Sequence, residues 1–594
     1  MLKNKVWHKN KFDVYNKSEF FKQFHLIPPF MPGFQFSYIK DVNAKHSDGR
    51  IESSQKTCYQ QQPFYLSSRA NADYPIISWV ENDFQILFEG IIYDSSTEVL
   101  RQKIQAFCAQ QITAEQIQKW LHQCDGEFVL LILNTQNQQL WLWNDVFGRL
   151  PVYLFQESGK LLIGRAIQHI RAISGSKSFD TYGLATTLLF GFALGEQSLW
   201  EGISYLPPGV LLKADFKTNK LFISKGFEAY RFGSAEPPNP KVWIESLSSA
   251  LENRLKKLPN MALSLSGGLD SRLIAALLKK MEVNIPAYTY QDAEGSASAD
   301  VQAVKQMVSQ LDWESQHKFI PLEPTNIAQI QELMQLKQGI NYAGMAFLLP
   351  FLGYFSQQHL AMITGDGGDK LLADLHPLLR LRNQNQLLKY LLRKHGRSQL
   401  ETAARWSGIS VKALTSYLLA HLETYQESPE KAYSQFLLRE RGRKWLFEGE
   451  DRNREFCWST TPFYEPSFAR QALAVRMSDK AFGKLFLQLF RQLPGSLEQI
   501  VNPNWQQPLD RQKAIQQLYR RQQIKQRLIV LPWLENLLSD KSKAKVLHEI
   551  NVAQLANLAD YGLKINSKEL NIIKNVDLQV ELFGLALLTN SNSG

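Results

Sequence analysis

The sequence predicts an α/β protein in two unequal parts: strand-rich sheets covered by a few helices, then a doubly wound parallel sheet extended by helices. Three observations predict it. Short apolar runs bounded by polar turns recur over roughly the first 230 residues. A Pro- and Gly-rich break follows at Phe232-Gly233-Ser234-Ala235-Glu236-Pro237-Pro238-Asn239-Pro240. Beyond it helices and short strands alternate, the signature of a parallel sheet with crossover helices.

In the first part, Asp83 to Phe88, Phe128 to Leu133 and Leu140 to Trp143 read as strands, and Ser96 to Cys108 and Ala114 to His122 as helices. In the second, Val242 to Lys257 is an amphipathic helix and Met261 to Leu265 a strand. Helix Ser271 to Lys280, strand Ile285 to Tyr290, helix Ala299 to Gln310 and strand His317 to Pro321 follow, and Ala361 to Thr364 is a strand after a further helix. From Leu371 onward the periodicity is almost wholly helical, with basic clusters at Arg380 to Arg382, Arg439 to Lys444 and Arg520 to Arg527. Such clusters read most simply as solvated helical faces. An apolar patch at Val580 to Leu588 packs either on the core or on a partner.

Composition narrows the class. The 594 residues are 44% hydrophobic and 21% charged, which suits large cores and excludes a disordered chain. The net charge of +11 permits an anionic partner without choosing one. Four cysteines, Cys58, Cys108, Cys124 and Cys457, form no CxxC pair and are too scattered for a disulfide framework or a zinc site. The start is basic but lacks the apolar run of a secretory signal. The stretch Phe347 to Ile363 is interrupted by Pro350, Gly353 and Ser356-Gln357-Gln358-His359, short of the roughly 18–20 apolar residues a membrane span needs. The expectation is a soluble, cytoplasmic protein.

The sharpest signal is Ser264-Leu265-Ser266-Gly267-Gly268-Leu269-Asp270-Ser271-Arg272, where a strand runs into Ser-Gly-Gly-x-Asp-Ser and a helix follows. Gly267 and Gly268 let the backbone turn and approach a ligand, Ser266 and Ser271 add hydroxyls, and the helix start offers free N–H groups to an anion. Asp270 beside a phosphate repels it unless a cation intervenes, which argues for Mg²⁺. No Gly-Lys-Ser/Thr follows, so this is not a Walker A loop. A second loop, Thr364-Gly365-Asp366-Gly367-Gly368-Asp369-Lys370, also lies between strand and helix. Ligands collect at the carboxyl ends of such strands, so both loops are expected at one pocket, with Asp270 and Asp369 on the metal and Asp366 facing the reacting centre. Arg272 reads more simply as structural than as a phosphate ligand, and Tyr288 and Tyr290 as buried strand residues rather than adenine contacts.

At these two loops the sequence resembles the asparagine synthetase superfamily, the amide-forming branch of the PP-loop ATP pyrophosphatases. Ser266 to Ser271 matches its SGGxDS; Gly365 to Lys370 is similar to its G-E-G-x-D-E, with Asp366 for the first Glu and Lys370 for the last. Thr461 to Phe468 resembles V-P-F-L-D-x-x-F. Upstream, Glu89 to Asp94 resembles the N-G-E-I-Y-N turn of the amidotransferase domain, and Asp125 to Phe128 with Asn144 to Tyr153 resembles its G-x-F and R-D-x-x-G-x-x-P-L-Y segments. The resemblance covers about residues 80–510.

It implies an N-terminal-nucleophile amidotransferase-like αββα sandwich over 1–235 and a PP-loop synthetase domain with helical extension over 240–594. It implies ATP and Mg²⁺. A substrate carboxylate would attack the α-phosphate, pyrophosphate would leave, and an amine would attack the acyl-adenylate to release AMP. Leu265, Ser266, Gly267, Gly268, Asp270, Ser271 and Gly365 would bind ATP or pyrophosphate, Asp270 and Asp369 the metal, and Asp366 would be catalytic.

Three departures matter. Glutamine-hydrolysing members carry a cysteine after the initiator Met, and here position 2 is Leu2. The nitrogen is therefore expected from ammonia or from an amine on the substrate, as in β-lactam synthetase and lasso-peptide cyclases, which this arrangement resembles. Asp366 is one methylene shorter than Glu. The family's basic residue near the C-terminal end is missing from Gln499 to Pro508, with Lys480 or Lys484 as substitutes. The expected substrate is a peptide, natural-product or surface-glycan acid. Ammonia-dependent asparagine synthesis, a nucleic-acid-modifying PP-loop enzyme and an inactive binding protein are the alternatives. Oligomeric state and a protein partner stay open.

Overall fold

The computed structural model describes residues 31–40, 55–71, 73–226, 229–237, 239–292, 295, 297–529, 561, 563 and 576–591. Position 2, on which the nitrogen-source expectation rests, lies outside them.

Two antiparallel sheets form the N-terminal part. One has the order β10-β8-β9-β1-β3-β2: β1 is Gly33–Ile39, β2 Gln55–Gln61, β3 Phe64–Arg69, β8 Tyr153–Glu157, β9 Lys160–Gly164 and β10 Ile203–Tyr205. The other runs β12-β11-β7-β6-β5-β4: β4 is Ile76–Glu81, β5 Phe84–Ile92, β6 Gly126–Asn134, β7 Gln139–Asn144, β11 Leu211–Asp215 and β12 Lys220–Ile223.

Period-two alternation explains why β6 reads as one apolar run. Val129, Leu131 and Leu133 face the core between the sheets, with Phe34, Leu87 and Leu142. Phe128, Leu130 and Ile132 face the helices Thr97–Cys108 and Ala114–Leu121, with Ile104 and Ile117. A strand buried on both faces has no polar side to show. The outer face of the first sheet, through Tyr153 and Leu162, packs on the helices Ile167–Ser174 and Thr181–Phe190. The layers are helix, sheet, sheet, helix.

The presumed linker is tied down. Gly233 N–H donates to Leu473 O at 3.3 Å and Ala235 N–H to Ala474 O at 2.9 Å. The helix after it starts at Pro240, capped by Asn239, two residues before its amphipathic pattern becomes readable.

The third sheet is parallel throughout, in the order β15-β14-β13-β16-β17: β13 is Met261–Ser264, β14 Ala287–Asp292, β15 His317–Leu322, β16 Ala361–Ile363 and β17 Ser459–Thr460. The chain moves outward from β13 through β14 to β15, then returns to place β16 on the other side. That reversal opens a crevice beyond the carboxyl ends of β13 and β16.

Two readings of the C-terminal half needed the structure. β17 has two residues inside a helical region and completes the sheet; Met362 N–H donates to Trp458 O at 2.7 Å and Thr364 N–H to Thr460 O at 2.9 Å. The cluster Arg439 to Lys444 is not a solvated face. It lies in a π-helical stretch, Phe436–Phe447, where Arg443 and Lys444 are buried, Arg443 pairing with Glu196 at 2.9 Å and Lys444 donating to Gln197 O at 3.2 Å. The apolar patch near the end packs on the core: Val580, Leu582, Leu585 and Leu588 of the helix Val576–Ser591 join the large cluster containing Leu333 and Met334. No described helix is long and apolar enough to cross a membrane.

Candidate active site

The crevice holds a cavity of about 310 Å³. The loop after β13 forms one wall. Ser266 N–H donates to Ser271 Oγ at 3.0 Å, the two hydroxyls lie 3.0 Å apart, and Ser271 Oγ also reaches Ser266 O at 3.1 Å. These bonds close the loop on the first turn of the helix Leu269–Lys280, which starts without a side-chain cap. Its first N–H groups are therefore available to an anion.

The loop after β16 lies directly against the first. A Cβ on Gly365 would stand 2.4 Å from Ser271 N, and one on Gly368 2.6 Å from Asp270 Oδ1. Gly367 has φ +97°, and a Cβ there would meet the Tyr464 ring at 2.4 Å. Glycine at 365 lets the two backbones touch, and glycine at 367 and 368 lets the second loop lie against the Tyr464 ring and the Asp270 side chain. The consequence is a concentration of acid. The Asp270 carboxyl is held well above the usual carboxylate range by burial, then by Asp369, with Asp366 adding to it and Lys370 opposing. Asp366 is pushed up to about 7 by burial, then by the Glu450 carboxylate.

Six of the expected site residues line the cavity: Ser266, Gly268, Asp270, Ser271, Gly365 and Asp366. Leu265, Gly267 and Asp369 lie outside its lining. Leu265 is buried, its N–H on Tyr288 O at 2.9 Å. Gly267 N–H donates to Asp300 Oδ1 at 3.2 Å. Asp369 is 55% exposed and paired with Lys370. Among the described residues no cluster of three or more His, Cys, Asp or Glu side chains forms a metal cage. Two carboxylates that share the rest of a coordination sphere with phosphate and water suit Mg²⁺, and the crowding of Asp270, Asp366 and Asp369 suits a cation between them.

Arg272 is structural: fully buried, it donates to Leu497 O at 2.9 Å, Ile500 O at 3.0 Å and Gly267 O at 2.8 Å. Tyr290 lines the cavity, whereas Tyr288 packs on Tyr354 and Phe355. Neither substitute lysine lines it. Lys480 is buried, lowered to about 7 by that burial, and donates to Leu371 O at 2.8 Å; Lys484 donates to Ser478 O at 3.2 Å.

The wall that sequence reasoning missed comes from the π-helical stretch and the following helix Glu448–Asn453. It supplies Trp445, Glu450, Arg452 and Asn453. Its outward side meets the N-terminal sheets. Arg149 grips Glu450 and also pairs with Glu127. Arg165 pairs with Glu89 at 2.8 Å and with Asp451, and Lys337 reaches Asp451 at 2.6 Å and Glu448 at 2.7 Å. Arg254 holds Asp125 at 2.7 Å. Glu89, Asp125 and Glu127, from the segments that resemble an amidotransferase, are thus partners of buried bases. Trp445 stacks on Tyr342 at 5.7 Å, and the last helix braces that pair: Tyr342 Oη donates to Asp577 at 3.0 Å, and Arg397, 4.4 Å above the Tyr342 ring, meets Glu581 at 3.4 Å.

A family model for asparagine synthase matches residues 243–563, and one for the glutamine amidotransferase domain matches residues 69–225. No curated protein matches the chain. Among solved structures, NMN synthetase from Francisella tularensis is 18% identical over 34% of this chain and 95% of that one, with a TM-score of 0.20. Glutamine phosphoribosylpyrophosphate amidotransferase from B. subtilis, complexed with ADP and GMP, is 10% identical over 66% of this chain and 87% of that one, with a TM-score of 0.21. Superpositions this loose bear on neither site nor substrate.

Proposed function

Because the chain belongs to the asparagine synthase family, we propose that it is an ATP-dependent amide ligase that works through an acyl-adenylate. The observation that carries this is the contact between the two Gly- and Asp-rich loops at the sheet's reversal point, which puts Asp270 and Asp366 in one cavity with the Ser266–Ser271 turn.

In this reading a carboxylate oxygen of the acid bonds to the α-phosphorus of ATP, the bond to the β-phosphate oxygen breaks, and pyrophosphate leaves. An amine nitrogen then bonds to the acyl carbon, AMP leaves, and the amine loses a proton. Ser266, Gly268, Ser271 and Gly365 cradle phosphate with N–H and hydroxyl donors, supported by Leu265 and Gly267 behind them. Asp270 and Asp369 hold Mg²⁺, which when bound neutralises the phosphates. Asp366, poised near neutrality, accepts the amine's proton. Catalysis otherwise rests on positioning and charge stabilisation.

We assign residues 1–235 to a degenerate amidotransferase unit and 240–594 to the synthetase. The acid is a peptide, natural-product precursor or surface-glycan acid, and the cytoplasm is the compartment that suits ATP chemistry.

ATP–pyrophosphate exchange across a panel of carboxylic acids tests the reading. Acid-dependent exchange that Asp270→Ala abolishes is expected. Exchange that needs RNA, or Mg²⁺-dependent exchange that survives Asp270→Ala, overturns it.

A further inference from the structure

Most buried arginines near the cavity come with counter-charges. Arg149 has Glu127 and Glu450, Arg165 has Glu89 and Asp451, Arg254 has Asp125, and Arg454 has Glu450. Lys444, which lines the cavity, donates to Gln197 O and sits on the Tyr205 ring.

Arg272 has no ion pair either, but three carbonyl oxygens accept from it; Arg452 has neither an ion pair nor such a set of acceptors. It lines the cavity and is only 4% exposed. Among the described residues no carboxylate lies within salt-bridge distance. Its Nε and Nη2 donate, at 3.3 and 2.8 Å, to one neutral acceptor, Asn453 Oδ1. Nη1 has no acceptor among the described residues. With its oxygen committed, the Asn453 amide leaves its NH₂ as an additional donor. A guanidinium this enclosed keeps a large desolvation cost that a neutral amide does not offset. The Asp366 carboxyl attracts it without forming an ion pair; an anion entering the cavity would be its direct partner, and a planar guanidinium matches two oxygens of one oxyanion.

We propose that Arg452, with Asn453, is an anion subsite of the cavity that takes a paired oxyanion: a nucleotide phosphate or the carboxylate of the acyl donor. It rests on the ligase reading for the identity of those anions, not for the existence of the site. Arg452 faces the cavity from the helix Glu448–Asn453, within reach of the charge of Asp366 on the second loop. It can therefore hold negative charge at the reacting end while the Ser266–Ser271 turn holds it at the other.

Arginine modification by phenylglyoxal, mapped by peptide mass spectrometry on the full chain, tests this. Arg452 is expected to react at least fivefold faster than the paired Arg149, Arg165 and Arg454. Protection of fivefold or more is expected from one of two arms. Protection by Mg·AMPCPP, pyrophosphate or inorganic phosphate assigns a phosphate; protection by glutarate or L-aspartate alone assigns a carboxylate. An unreactive Arg452, or one that no anion protects, overturns the subsite. Arg452→Gln breaks no ion pair and is expected to melt within a few degrees of the parent. It should bind the protecting anion at least tenfold more weakly by calorimetry; unchanged binding also overturns the subsite. Failure of the parent to bind Mg·AMPCPP, with Arg452 still protected by inorganic phosphate, overturns the ligase reading and leaves the subsite standing.

Discussion

Arg149 and Glu450 are 301 residues apart in sequence and meet in a forked ion pair: Arg149 Nη2 donates to both Glu450 carboxylate oxygens at 2.9 Å, and Nε to Oε2 at 3.3 Å. Both side chains are buried, and Glu450 lines the cavity. The guanidinium also lies 5.4 Å from the Tyr464 ring, the ring against which Gly367 of the second loop is packed. One residue of the amidotransferase-like part thus holds two walls of the ligase cavity.

Arg149→Met is expected to lower stability by about 3–5 kcal/mol, because it leaves Glu127 and Glu450 buried without their shared cation. Thermal melts with and without Mg·AMPCPP check this. A drop of only a few tenths of a kcal/mol would show that the pair is not buried in solution.

Asp366 gives a pH prediction. Its carboxyl is raised to about 7 from the ordinary 3.8, so the unfolded chain releases this proton earlier than the folded one. The folded state binds more protons between those values, so this residue's contribution to stability falls as pH rises from about 4 to 7. Asp366→Asn should leave stability nearly unchanged at pH 4 and raise it at pH 8, by at most about 4 kcal/mol, with a matching rise in melting temperature. The same variant should remove the rise in ligase rate across neutrality if Asp366 is the base. Equal melting shifts at both pH values contradict the assignment.

Gly365→Ala puts a methyl 2.4 Å from Ser271 N, so the two loops must part. Overpacking of this kind costs about 1–3 kcal/mol. The expected signature is a modest stability loss with a tenfold or greater loss of Mg·AMPCPP affinity by calorimetry. Stability and affinity falling in equal proportion would point to general unfolding instead.

The residues that the amidotransferase model matches contain Cys108 and Cys124, and burial pushes both thiols up to about 12, away from a reactive thiolate. Incubation with glutamine, with or without ATP, should release no glutamate, and ammonium salts or an amine should support product formation. ATP-independent glutamate release contradicts the expectation.

The parts of the site that were legible are those built from adjacent residues. Ser266 to Ser271 announces a turn that closes on itself, and Gly365 to Lys370 a second one. The helix–strand alternation around them is enough to predict that both meet at one sheet edge. The rest was not legible because it depends on distant pairing. Glu448 to Asn453 reads as an ordinary charged helix until Arg149, Arg165 and Lys337 arrive from far upstream. The cluster Arg439 to Lys444 reads as a wet surface for the same reason: its partner Glu196 is 247 residues away from Arg443. β17, at two residues, carries no periodicity at all.

The brace between Tyr342 and Asp577 also sets an order of events during synthesis. A ribosome delivers chain in one direction, and Asn453, the cavity's last lining residue, leaves it long before Asp577 and Glu581. A nascent chain can fold all three large sheets, close both loops and still lack the support under Tyr342 and Trp445. The cavity is finished only when residues 576–591 dock, so unfinished or C-terminally clipped copies would be folded over most of their length yet imperfect at the cavity wall.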